Sequence, residues 1–345
     1  MSGKKSFLIQ LLILLAIYGI VQGLIMGGII DAYIQNTMVT ICVNIILAVS
    51  LNLVTGFTGQ FSLGHAGFMA VGAYSTALIT ISIPTVWGFL LGILVGCLLA
   101  ALIGVLIGLP TLRLKGDYLA IATLGMAEII RVLLLNFDFT NGAAGLTTPQ
   151  FVNWNWLFIF TAGTIVLIKN FLNSRHGHSC IAVREDEIAA ESIGVYSTRT
   201  KTLAFTVGAA FGALAGGIYA ANFFFIKPDL FNFMMSINIL VIVVLGGLGS
   251  LTGSVIAAIL LAVVSTLLQP FPEIRMILYS LVLVILMVFR PQGLLGTKEL
   301  SLKLLGSLIP GRKPNSGEAA VDTEPKTERE TEPKTEQKAE QEAAK

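Results

Sequence analysis

The chain has 345 residues, 55% of them hydrophobic and only 12% charged, about half the charged share of a soluble domain. That excludes an ordinary water-soluble enzyme. The net charge of +2 is too small to point to nucleic acid, and Cys42, Cys97 and Cys180 lie too far apart for a paired framework or metal-ligand spacing. They read as small apolar residues.

Apolar runs near 20 residues recur, each long enough to cross a hydrocarbon core about 30 Å thick at about 1.5 Å per residue. The fold class is therefore an all-α polytopic membrane protein. Expected spans are about 7–30, 34–54, 63–82, 86–109, 117–136, 155–172, 202–224, 235–248, 252–269 and 274–290. The first follows Lys4 and Lys5. It is too long for a signal-peptide core and lacks a small-x-small cleavage site, so it reads as a retained span.

Lys and Arg asymmetry orients the chain, because basic loops stay cytoplasmic. With the N-terminus inside, the cytoplasmic segments carry Lys4, Lys5, Arg113, Lys115, Lys169, Arg175, Arg184, Arg199, Lys201 and Arg290. The outer ones carry little beyond Lys227 and Arg275. Ten crossings fit this, and eight would preserve the same sidedness, so both termini are expected in the cytoplasm.

Between the second and third spans, residues 55–67 read Thr-Gly-Phe-Thr-Gly-Gln60-Phe-Ser62-Leu-Gly-His65-Ala-Gly67, with no charge. Irregular backbone at membrane depth is tolerated only where protein or a water-filled cavity satisfies it. The segment reads either as the wall of a translocation path or as a cytoplasmic turn with a helix start. Span four spaces Gly88, Gly92, Gly96, Ala100, Gly104 and Gly108 by four, and span seven repeats this with Gly208, Gly212 and Gly216. Such a stripe lets helix backbones approach closely, and packing within the chain is favoured over contact with a second subunit.

In span five, Glu128 and Arg131 sit three apart on one helix face and can partly neutralise each other. An ion pathway usually needs several such groups, so a structural or helix–helix pair is favoured over a transport role. Nucleotide motifs are missing. Gly306-Ser-Leu-Ile-Pro-Gly311-Arg-Lys313 lacks the ending of a phosphate loop, and Gly247-Leu-Gly249-Ser-Leu-Thr252 joins two apolar helical runs rather than a strand and a helix.

The longest loop, about 173–201, has a helical centre that places Ile181, Arg184, Ile188, Ala189 and Ser192 on one face, with Gly194 as terminator. A short helix bearing Ala189 and Ala190 can lie in a groove of another protein, although taken alone the segment reads rather as a charged loop helix facing water. From residue 297 the chain changes character: residues 1–296 hold 13 Lys+Arg and 10 Asp+Glu, whereas residues 297–345 hold 9 and 10. The transmembrane domain thus spans 1–296. Residues 297–345 form a cytoplasmic tail, which from about 312 is too poor in apolar side chains to fold.

Ile188-Ala189-Ala190, three residues, then Gly194 resembles the Glu-Ala-Ala-x3-Gly loop of the branched-chain amino acid permease family of ABC importers, of the M-subunit type. Ile188 stands in place of the leading Glu, with Glu187 one position earlier. Five further blocks resemble that family: Ser50 to Gly67, Leu112-Arg-Leu-Lys-Gly116 onward, Thr140-Asn141-Gly142 with Gly145-Leu146, Val244 to Gly253, and Phe289-Arg290-Pro-Gln-Gly293.

The resemblance implies an ABC importer permease architecture: half of a translocation pathway for leucine, isoleucine and valine in the bacterial inner membrane. It implies a second related permease, two ATP-binding cassette subunits carrying ATP and Mg, and an extracytoplasmic amino-acid binding protein. No enzyme activity and no cofactor or metal bound by this chain are expected. It further implies that Arg184, Glu187, Ile188, Ala189, Ala190 and Gly194 form the coupling loop on the ATPase. For the substrate, Gln60, Ser62, His65, Asn141 and Gly142 are the polar groups able to hold a carboxylate without a buried formal charge. A permease for urea or short amides, and an ion-coupled secondary transporter, are the alternatives.

Overall fold

Glycines decide how closely the central helices of this protein pack. The computed structural model describes residues 18–28, 30–112, 114 and 116–269, with the single positions 16, 281, 284, 293, 294 and 296. In chain order the helices are α1 (Ala32–Asn52), α2 (His65–Ser82), α3 (Val86–Thr111), α4 (Asp117–Asn136), α5 (Trp154–Leu172), α6 (Arg175–Glu185), α7 (Glu187–Ser192), α8 (Ser197–Asn222), α9 (Phe233–Gly246) and α10 (Leu251–Leu267). A helical stretch at 18–26 precedes α1.

Helices α2, α3 and α8 form the tightly packed centre. A Cβ on Gly72 of α2 would stand 2.0 Å from the Ala213 carbonyl oxygen, and one on Gly216 of α8 would stand 1.9 Å from that of Met69. Neither position has room for a side chain. The span-four and span-seven stripes pack inside the chain as expected: Gly92 lies on Thr76, Gly96 on Gly72, Gly104 on Ala209 and Gly208 on Val54. Close backbone approach trades side-chain entropy for dispersion contacts, the main attraction between helices once lipid replaces water.

Side-chain caps define several helix starts. Thr85 Oγ1 accepts from Gly88 N, Asn232 Oδ1 from Met235 N, and Ser250 Oγ from Gly253 N. Each satisfies a backbone donor that the first turn leaves unpaired.

Among the described residues, five helical segments are long and apolar enough to cross a membrane: Ala32–Phe57, Val86–Thr111, Asp117–Asn136, Trp154–Leu172 and Ser197–Asn222. They coincide with expected spans two, four, five, six and seven. The third, eighth and ninth expected spans are helices α2, α9 and α10: α2 has the length but is less apolar, and α9 and α10 are apolar but shorter. The beginning of the first expected span (7–15), nearly all of the tenth, the positions of Arg113, Lys115 and Arg290, and the tail lie outside the described residues.

The all-α expectation holds apart from one two-stranded ribbon. β1 (Leu146–Thr147) pairs antiparallel with β2 (Phe225–Ile226), Leu146 opposite Ile226 and Thr147 opposite Phe225. Thr148 extends the junction, its N–H donating to Phe224 O at 2.9 Å and its hydroxyl to Ala220 O at 2.6 Å. The ribbon ties the α4–α5 connection to the end of α8.

Candidate functional site

Where α1 would be expected to stop, it loosens instead. Residues Leu53–Phe57 continue it as a π-helical turn, and the chain then runs without regular structure to Gly64 before α2 begins at His65. Single π turns often mark functional positions in helices. Thr58, Gln60, Ser62 and His65 are all buried, while Gly59 and Phe61 reach the surface. Burial of these polar side chains is compatible with both readings of 55–67, the wall of a path and a turn with a helix start.

Its polar groups fall into two kinds. Some are anchored. Ser50 Oγ lies 3.0 Å from Leu47 O and 2.7 Å from His65 Nε2. The hydroxyl has one proton, so donating it to Leu47 makes Nε2–H the donor to Ser50. Thr58 donates to Leu53 O at 2.9 Å, Leu63 N donates to Thr123 Oγ1 of α4 at 3.1 Å, and Ala66 N to Ser236 Oγ of α9 at 3.3 Å. Others have no partner among the described residues: Thr55 Oγ1 and both amide atoms of Gln60, whose residue is 2% exposed. A buried primary amide with nothing to bond costs about 1–3 kcal/mol, so Gln60 is the strongest candidate here for meeting a polar ligand.

Asn52 was not singled out from the sequence, and it holds the segment in place. Its Oδ1 accepts from Gly249 N at 2.9 Å; its Nδ2 donates to Ser250 O at 2.8 Å and Ser254 Oγ at 2.7 Å. The loosened end of α1 is thus bolted to the Gly247–Ser250 link between α9 and α10. The available signal was an amide inside an apolar run, a feature that Asn44 shares.

Asn141 and Gly142 do not join this group. Leu63 meets α4 at Thr123, whereas Asn141 lies beyond Asn136 at the far end, about 20 Å away along the helix. Asn141 shapes a turn: its φ is +57° and its Nδ2 donates to Gly145 O at 2.9 Å. Gly142, φ +50°, continues that turn against Leu135 O.

The loop expected as one helix is two. Asp186 takes extended backbone and its Oδ1 accepts from Ile188 N (2.9 Å) and Ala189 N (3.0 Å), capping α7 and breaking the chain from α6. Ile181 and Arg184 therefore belong to a different helix from Ile188, Ala189 and Ser192. Gly194 ends α7 as expected, with φ +90°. Ala190 is buried, while Ile188 and Ile193 are 78% and 77% exposed. Glu187 faces α8, accepting from Ser197 Oγ and, at 2.6 Å, from Lys201 Nζ. Arg184 turns inward and lies against Gly59 and Gly249.

Glu128 and Arg131 pair as expected, Nε to Oε1 at 2.9 Å with a second bond from Nη2, and Asp229 joins them, 3.2 Å from Arg131 Nη1. Among the described residues no group of three or more His, Cys, Asp or Glu side chains is placed to hold a metal ion.

The profile of the family described as branched-chain amino acid transport system, permease component, matches residues 33–290. The chain is 35% identical to the high-affinity branched-chain amino acid transport system permease protein LivM of Escherichia coli K12, over 90% of this chain and 79% of that protein. It is 25% identical to the LivH permease protein of Salmonella typhimurium over 74% and 91%, and 26% identical to a probable LivM of Methanocaldococcus jannaschii over 65% and 69%. No solved structure matches. A family profile covering most of the chain, a relative above 30% identity along nearly all of it, and several membrane-length apolar helices agree: this multi-pass membrane protein belongs to the family of branched-chain amino acid transport system permease components.

Proposed function

We propose that the chain is one permease subunit of an ATP-driven ABC importer for leucine, isoleucine and valine in the bacterial inner membrane. It forms half of the translocation pathway and works by alternating access. The observation that carries this is the 35% identity to LivM over 90% of the chain. Similarity to both LivM and LivH supports pairing with a second, related permease. Two cassette ATPases supply ATP and Mg, and an extracytoplasmic binding protein delivers the amino acid.

In this reading the body of residues 1–296 crosses the membrane ten times with both termini in the cytoplasm, and residues 297–345 are a cytoplasmic tail. The basic residues of 169–201 put α6 and α7 on the cytoplasmic side. There Ile188, Ala189 and Ile193 form the surface on the ATPase, Gly194 sets the angle of α7, and Glu187 and Ala190 hold α7 to the body. Exposure of two isoleucines beside a buried alanine supports that division.

Arg184 carries the ATPase stroke inward to the Gly59 and Gly249 links, an arrangement suited to biasing two conformations of one pathway. Gln60, Ser62 and His65 line the substrate path at the break between α1 and α2; Asn141 and Gly142 shape its opposite end.

Flux of labelled leucine into vesicles holding the complete complex, with and without ATP and binding protein, tests the reading. Uptake should require both, and accumulation by this chain alone on a proton or sodium gradient would overturn it.

A further inference from the structure

Two exposed surfaces of this chain carry different chemistry. On α3 the outward side chains are Leu91, Leu94, Leu98, Leu102 and Leu106, a wholly apolar face suited to acyl chains. On α4, Glu128 is eight residues from the nearer helix end, about 12 Å along the axis, which is membrane depth. Its side chain is nevertheless 45% exposed, and that of its partner Arg131 is 21% exposed. Asp229, in the short helical turn Pro228–Phe231, brings a second carboxylate to the same guanidinium and is 54% exposed. Asn238 is exposed on α9, which begins two residues after that turn.

A charge at this depth facing lipid costs about 2.5–3.5 kcal/mol, and acids within spans almost always face a bundle interior or a water-filled cavity. Pairing with Arg131 reduces that cost but leaves the exposed side of Glu128 in need of a polar neighbour. Two carboxylates around one guanidinium also leave a net charge of −1, which draws cations locally.

We infer that the Glu128–Arg131–Asp229 triad borders the aqueous path and receives the two charges of an amino-acid zwitterion, the guanidinium taking its carboxylate and the two acids its ammonium. A zwitterion can exchange pair for pair with the triad, so no charge is stranded as it enters. A neutral amide or urea offers no such exchange. The inference deepens the import reading above and rests on it.

The test uses the complete complex in proteoliposomes, with Cys42, Cys97 and Cys180 replaced by alanine. Single variants Glu128→Cys, Asp229→Cys and, on the apolar face, Leu102→Cys are treated with a charged, membrane-impermeant thiol reagent. A thiol meeting water ionises and reacts, so Glu128→Cys and Asp229→Cys should label about tenfold or more faster than Leu102→Cys. Equal rates would overturn the placement.

In the second arm, Glu128→Gln keeps an acceptor for Arg131 while removing the charge. Leucine uptake at saturating binding protein should fall about tenfold with ATP hydrolysis retained. Wild-type uptake, or loss of assembly together with hydrolysis, would overturn the recognition role. A wild-type complex that moves no leucine would defeat the import reading instead, and the labelling arm, which needs no transport, still decides whether the triad meets water.

Discussion

Arg184 of α6 and Gly249 of the α9–α10 link are in direct contact: a Cβ added to Gly249 would stand 2.6 Å from Arg184 Nη1. The same side chain covers Gly59, where a Cβ would meet Arg184 Cγ at 3.3 Å. Both glycines have positive φ, +88° and +73°. One arginine near the end of α6 thus rests on both irregular links, the 58–64 segment and the turn between α9 and α10.

Removing that contact should separate hydrolysis from movement. Arg184→Ala in the complete complex is expected to lower leucine uptake about tenfold while binding-protein-stimulated hydrolysis continues, since a guanidinium making several contacts contributes a kilocalorie or more. Leucine moved per ATP is the quantity to measure. An unchanged ratio would remove Arg184 from the transmission route.

Gly194→Val is expected to abolish uptake with the protein still in the membrane. Nothing lies within 4 Å of a Cβ there, so the effect is backbone strain at φ +90°, about 1–2 kcal/mol for a side chain and more for a β-branched one. That strain re-aims α7 without disturbing the core. Quantitative blotting of membranes beside uptake separates the two, and full uptake would count against α7 as the docking element.

Asn52→Ala should destabilise the permease by about 1–3 kcal/mol, because Gly249 N loses its acceptor and the buried Ser254 hydroxyl loses a donor. Thermal unfolding in detergent reads this directly. A melting temperature equal to wild type would show that the link holds its shape unaided.

Gln60 and His65 should behave differently from each other. Both amide atoms of Gln60 lack a partner among the described residues, so Gln60→Ala leaves stability near wild type and lowers uptake. His65→Ala breaks the 2.7 Å bond to Ser50 and opens space beside Gly212, so it lowers both. Wild-type leucine uptake in Gln60→Ala would take that residue out of the path.

Gly216→Val tests the packing of the centre. With the Met69 carbonyl 1.9 Å from the would-be Cβ, α8 and α2 must separate, and loss of folded protein is expected. Size-exclusion chromatography of the solubilised permease checks it; a monodisperse, stable variant would contradict the packing.

The sequence by itself determined the class. Long apolar runs report spans because the bilayer core has a fixed thickness, and four-residue glycine spacing reports close helix approach because of the helical repeat. Gly194 was legible as a helix end because glycine readily takes positive φ. The local pair Glu128–Arg131 followed from spacing alone. The helix break at Asp186 did not, because the side chain could cap a new turn or sit on a continuing one, and the choice depends on what α6 and α7 pack against.

Only the tertiary structure decided which distant groups meet. Asn52 finds Gly249 across 197 positions of chain, and Asp229 joins Arg131 across 98. It also parted Asn141 and Gly142 from Gln60, Ser62 and His65 by several turns of α4 and turned Arg184 inward. Local propensity and periodicity act over a few turns of helix, whereas such partnerships are fixed by how whole helices pack, which no short stretch of sequence contains.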